Sequence, residues 1–156
     1  MKIHYSELTL CLGALGFPYP GKKSSEVCKQ GDRIQASMAC SNLEDGKTIS
    51  LHMKINDYAE DGSKTVYKTK LIAERIPNET QAYLKITDFV FENEKIDVED
   101  HARVKDILTS KLFNQIRHFP SPGMQSSGVH IYSKSEGQVV KAARAARKFL
   151  KKRFGP

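Results

Sequence analysis

The stretch that decides the fold is Ile34-Gln35-Ala36-Ser37-Met38-Ala39-Cys40, followed after a turn by Ile49-Ser50-Leu51-His52-Met53-Lys54-Ile55. Ile34, Ala36, Met38 and Cys40 occupy every second position of the first run. Ile49, Leu51, Met53 and Ile55 do the same in the second, with Ser50, His52 and Lys54 between them. Successive strand side chains point to opposite faces, so each run reads as a half-buried strand. Between them Asn42-Leu43-Glu44-Asp45-Gly46 supplies residues that tolerate a positive φ, and the two runs form a hairpin.

Working outward, Glu60-Asp61-Gly62 makes a second turn before a run over 65–73. Ile76-Pro77-Asn78-Glu79 makes a third, because proline lacks the N–H that a ladder needs. Residues 81–91 resume the alternation, with Tyr83, Lys85, Thr87 and Phe89 opposing Ala82, Leu84, Ile86 and Val90. The middle of the chain is therefore expected to be a four-strand antiparallel meander. After Asp97 the period changes: Val104, Ile107, Leu108, Lys111, Leu112, Gln115 and Ile116 recur at spacings of three and four, predicting a helix over 99–118 with acids at its N-terminal end. Phe119-Pro120-Ser121-Pro122-Gly123 stops it. Val129 and Ile131 alternate with His130 and Tyr132, which reads as a late strand over 128–133. Ser135-x-x-Gln138 then forms a capping box for a last helix over 135–154.

At the other end, Leu8 to Leu15 is apolar and is followed by Phe17-Pro18-Tyr19-Pro20-Gly21. His4, Tyr5, Ser6 and Glu7 interrupt any secretory signal, so 1–20 is expected to be an N-terminal strand or an exchanged arm. The segment 8–17 is then a candidate for subunit contact, with an ordinary core strand as the alternative. Residues 21–32 are polar with little periodicity and read as an exposed loop. With 156 residues, 39% of them hydrophobic and 28% charged, the chain suits one globular domain and not a disordered one. No apolar run is long enough for a membrane span. Together these features predict a single α+β domain over 1–156: a mostly antiparallel sheet built from an N-terminal strand, the meander and the late strand, with two helices on one face.

The charge is unevenly placed. The net charge is +7, yet from Lys141 onward there are seven basic residues (Lys141, Arg144, Arg147, Lys148, Lys151, Lys152 and Arg153) and no acid. The other 18 basic residues balance the 18 acids, so the tail carries the whole excess. On a helical wheel Val139, Ala143, Ala146 and Leu150 gather into a narrow apolar stripe, and Lys141, Arg144, Lys148, Lys151 and Lys152 cover the opposite side. Those cations span about 16 Å at 1.5 Å per residue. Like charges at i, i+3 and i+4 weaken a helix, and mixed signs would serve solubility equally well, so an anionic partner is the better account. Nucleic-acid phosphates and acidic lipid headgroups both qualify. Lys22 and Lys23 would extend the patch if their loop folds beside it, and Tyr132 with His130 could stack on bases, although aromatics on a strand more often serve packing.

Chemistry-bearing motifs are absent. There is no P-loop, GxGxxG, HExxH or GxSxG, and His4, His52, His101, His118 and His130 show no recognisable partner spacing. Cys11, Cys28 and Cys40 are an odd number without a CxxC pair; Cys28, Cys40 and His52 are too widely spaced for a zinc site. The expectation is no catalytic residue, no metal and no cofactor, in a reducing intracellular setting without secretion. Asn78-Glu79-Thr80 matches a glycosylation sequon but reads as a turn.

Two resemblances bear on function. Ser126-Ser127-Gly128-Val129-His130-Ile131-Tyr132-Ser133-Lys134-Ser135-Glu136, with Ala142-Ala143-Arg144 and the stretch Lys148 to Phe154, resembles the final strand and helix of a TATA-box-binding-protein lobe over about thirty residues. It departs upstream, where such a lobe has a helix before its long run of strands. That resemblance implies a small DNA-binding regulator. Tyr5-Ser6-Glu7-Leu8, Ile86-Thr87-Asp88-Phe89, the late alanine-containing basic helix and Gly155-Pro156 are similar to the small matrix proteins of non-segmented negative-strand RNA viruses, of the bornavirus and rhabdovirus type. This similarity implies a non-enzymatic protein that self-associates into homo-oligomers, binds RNA or nucleocapsid on a basic surface, and coats acidic lipids at the inner membrane face or in the virion. Only the basic helix residues can be carried over to that role.

Overall fold

Alternation along the central strands is what builds the sheet. A computed structural model describes residues 2–18, 20, 25–29, 32–79, 82–113 and 128–154. Its strands are β1 (Lys2–His4), β2 (Ser25–Lys29), β3 (Asp32–Asn42), β4 (Thr48–Tyr58), β5 (Lys64–Arg75) and β6 (Tyr83–Glu92). They form one antiparallel sheet in the order β1-β6-β5-β4-β3-β2. Met38 stands opposite Met53, Met53 opposite Thr69, and Leu71 opposite Phe89, so one face collects the apolar positions. Between β5 and β6 the pairing shifts from Ile72↔Asp88 to Ala73↔Ile86, leaving Thr87 as an extra residue whose hydroxyl donates to the Ile72 carbonyl at 3.2 Å. This bulge keeps Ile86 and Phe89 on the same face despite their odd spacing.

Three helices cover that face: α1 (Tyr5–Ala14), α2 (Val98–Leu108), continued by a π-helical turn at Thr109–Phe113, and α3 (Gly128–Phe154). Leu8, Leu12 and Leu15 of the first segment, Val104 and Leu108 of α2, and Val139, Ala143 and Ala146 of α3 join the inward strand residues in a single core. The fold is a single α+β domain, as the hydrophobic periods predict. The turns follow their residues too. Gly46 and Gly62 take φ of 68° and 85°, and Asn78 takes 65° after Pro77. These are left-handed conformations that glycine and asparagine adopt at least cost.

Three elements differ from expectation. Residues 8–17 are neither strand nor arm: only Lys2–His4 is extended, and Tyr5–Ala14 is helical. Leu8, Cys11, Leu12 and Leu15 fall at i, i+3, i+4 and i+7, a helical period that the nearly continuous apolarity conceals. His4 caps the start, its ring nitrogen accepting from the Ser6 N–H at 3.2 Å. Gly16 at φ 105° ends the helix in a Schellman motif, with Phe17 N–H on the Leu12 carbonyl and Gly16 N–H on that of Gly13. All of Leu8, Cys11, Leu12, Leu15 and Phe17 are buried, so this segment is core and not an exposed subunit contact.

The expected loop over 21–32 contains strand β2, which pairs with β3 as Val27↔Ile34 and Cys28↔Arg33. Backbone pairing needs no hydrophobic alternation, which is why a polar sequence hid it. The expected late strand over 128–133 is instead the first part of α3. Four alternating residues are too few to separate the two periods, and Val129, Tyr132 and Val139 also fit helical spacing. The helix over 99–118 is seen as α2 and its π-helical turn to Phe113; residues 114–118 lie outside the described residues.

Candidate anion-binding surface

Helix α3 lies over β3 and β4 on alanines. Ala142, Ala143 and Ala146 are fully buried, and their small side chains let the backbone come close to α1, α2 and the sheet. That docking sorts the seven cations of the tail into two groups. Arg147 turns inward and donates from Nε (2.8 Å) and from Nη2 to the two carboxylate oxygens of Asp57. Asp57 sits on the apolar face of β4 with 1% of its side chain exposed, against 16% for Arg147. Tyr67, fully buried nearby, has its phenol pushed well above the ordinary value by burial, with the Asp57 charge adding and Arg147 opposing. Arg153 joins the end of α3 to the start of α2, its Nε 3.2 Å from the buried Asp100 and its Nη2 3.4 Å from Glu99.

Lys141, Lys148, Lys151 and Lys152 point to solvent, and Arg144 is half-buried. Lys148 and Lys152 line a groove of about 520 Å³ between α3 and α2. Across it stand Arg103 on α2 and Lys111 in the π-helical turn, with Asp106 the one acid on the lining and Ile107 and Phe149 on its apolar part. Lys141 is seven residues before Lys148 and so lies on the same helix side, about 10 Å along the axis. Lys151 points elsewhere, lining a hollow of about 300 Å³ with Leu150, Arg147 and Asp57. Its charge helps to hold the Asp61 carboxyl below the ordinary value, after the larger effect of hydrogen bonds from Ser63.

The arrangement offers four converging cations and an apolar strip, which suits a phosphate- or carboxylate-bearing surface better than a small substrate. Arg103 and Lys111 do not stand out in the sequence because α2 mixes its cations with Glu99, Asp100 and Asp106. Only the packing of α2 against α3 turns that side into part of a basic groove. Lys22 and Lys23 lie outside the described residues, and Tyr132 is described only as backbone of α3. Because Gly128–Phe154 is helical throughout, the strand on which the TATA-box-binding-protein resemblance rested is not present.

His4, His52 and His101 have partners of their own on separate elements. His4 meets Ser6 at 2.7 Å, His52 meets Ser41 at 3.1 Å, and the His101 Nε2 accepts from the Asn93 N–H at 3.2 Å. Among the described residues no three His, Cys, Asp or Glu side chains cluster as metal ligands would, and no helix is long and apolar enough to cross a membrane. Neither a family model, nor a curated protein, nor a solved structure matches this chain.

Proposed function

We propose that this is a non-enzymatic binding and assembly protein that engages polyanions through the α2–α3 surface. Its partners are RNA or nucleocapsid and acidic lipid headgroups, met at the cytoplasmic face of a membrane, and it self-associates in a matrix-like layer. The observation that carries the reading is the convergence of Lys148 and Lys152 with Arg103 and Lys111 on one groove, while Arg147 and Arg153 are committed to acids of the fold. The contact set is thereby narrowed from seven tail residues to Lys141, Lys148 and Lys152, joined by two cations of α2 and its extension. Self-association must use a surface other than the buried segment 8–17.

Wild type and Lys148→Glu/Lys152→Glu are titrated with single-stranded RNA and with phosphatidylserine vesicles at two salt concentrations, and sedimentation reports oligomer size. Binding should fall steeply with salt, because each neutralised phosphate releases counterions, and each lysine near an acidic bilayer adds about 1 kcal/mol. A folded variant that binds vesicles and RNA as wild type does would overturn the reading.

A further inference from the structure

The second face of the sheet carries a basic surface of its own. All three helices share the core with the inward face, and the outward side chains of β3, β4 and β5 include the exposed Arg33, Lys54, Lys64 and Lys68. The register aligns them in rows: Arg33, Tyr58 and Lys64; then Ser37, Lys54 and Lys68; then Ala39, His52 and Lys70. Positions two apart along a strand repeat every 6.5–7 Å or so, and neighbouring strands lie about 4.8 Å apart. On β3 and β4 no outward residue is acidic, and on β5 Glu74 at the far end is the only one. From β6 come Asp88, opposite Ile72 toward the far end, and Glu92, which is held by Lys70 at 2.9 Å.

Two features point to a ligand. Lys54 and Lys68 are directly opposite each other and both exposed, an arrangement of like charges that destabilises a sheet. With Lys95 they line a hollow of about 290 Å³ that also holds Glu92, paired with Lys70, and Glu94, so the three lysines outnumber the carboxylates there. Tyr58 is partly exposed between two cations, Arg33 at 5.4 Å and Lys64 at 5.7 Å from its ring centroid. A ring beside a line of cations is the pairing that single-stranded nucleic acids use, bases stacking while phosphates are neutralised. An acidic bilayer would meet the lysines but give the Tyr58 ring no stacking partner, and an inserting surface would need exposed large apolar side chains. The large ones exposed among the described residues are Leu43 and Val98, and neither is on this face.

We infer that the outward face of β3–β5 is a binding site for single-stranded nucleic acid, with Tyr58 as stacking platform and Lys54, Lys64 and Lys68 as phosphate contacts. It stands apart from the α2–α3 groove, which faces the other side of the molecule, so either assignment can fail alone.

A short oligouridine is titrated into wild type, Lys54→Gln/Lys68→Gln, Tyr58→Ala, Tyr58→Phe and Lys148→Glu/Lys152→Glu, with circular dichroism confirming each fold. Ultraviolet cross-links to the same oligonucleotide are mapped by mass spectrometry. Losing two phosphate contacts should weaken binding at least tenfold and reduce the salt slope, and Tyr58→Ala should cost about tenfold with the slope little changed. Tyr58→Phe should bind normally, and cross-links should fall in peptides of β4 and β5. Absence of oligouridine binding by wild type, unchanged binding by both sheet variants, or cross-links confined to α2 and α3 would overturn the inference. So would sheet variants that lose vesicle binding while keeping the oligonucleotide.

Discussion

Arg147 of α3 and Asp57 of β4 form a two-point ion pair across the boundary between helix layer and sheet, ninety residues apart in the chain. Asp57 is the charged intruder on an otherwise apolar strand face, and Arg147, one turn after the buried Ala143, meets it. Such a pair contributes little against a well-packed apolar substitute, but half of it is costly to leave behind. It fixes how α3 sits on the sheet and thereby which lysines face outward.

Arg147→Ala should therefore destabilise the protein by about 3–5 kcal/mol, because it strands a buried carboxylate. Asp57→Leu/Arg147→Met, which removes both charges, should stay within about 2 kcal/mol of wild type and bind RNA or vesicles normally. Urea unfolding followed by circular dichroism reads the first effect, and titration of the folded double variant reads the second. A loss below about 1 kcal/mol for Arg147→Ala would show that the pair does not hold α3.

Removing residues 1–16 should abolish folding and not merely change an oligomer. Ile3, Leu8, Leu12 and Leu15 leave the core together, and at about 1.5–3 kcal/mol each they match the whole stability of an ordinary domain. Proton NMR of the fragment 17–156 should show collapsed dispersion. A fragment with native dispersion would mean that α1 is dispensable.

The hairpin carboxylates make stability depend on acid pH. Asp45 accepts from the Thr48 hydroxyl at 2.6 Å and from the N–H groups of Thr48 and Lys47 at 2.8 Å, which holds its carboxyl below the ordinary 3.8. A depressed folded value adds stability above the unfolded value, and this is lost as pH falls through the folded one. Wild type should exceed Asp45→Asn in urea midpoint at neutral pH, and the gap should close below about pH 4. A gap that is constant with pH would assign the difference to turn geometry alone.

Cysteine reactivity should divide by burial. Cys11 is fully enclosed in α1, and burial pushes its thiol up to about 12, whereas Cys40 is exposed near the end of β3. In Cys28→Ser protein a disulfide reagent should modify Cys40 rapidly and Cys11 only on unfolding. Equal native rates for the two would contradict the packing of α1.

The meander was legible from sequence alone because period-two alternation between turn-forming residues admits few other structures, and the basic tail helix because its apolar stripe and lysines repeat at helical spacing over about three turns. Short or uniformly apolar segments were not legible in the same way. Leu8 to Ala14 and Val129 to Tyr132 fit both periods and are helical, and in the first it is the packing of Leu8, Cys11 and Leu12 in the core that favours the helix. The functional surface divides along the same line. Composition alone placed the excess charge in residues 141–153, since charge is additive along a chain. That Arg147 and Arg153 are held by Asp57 and Asp100, that Arg103 and Lys111 join the groove, and that Lys54 faces Lys68 beside Tyr58 depended on pairings between distant residues. Local sequence carries no record of such distances, and only the assembled sheet and its helices bring those charges together.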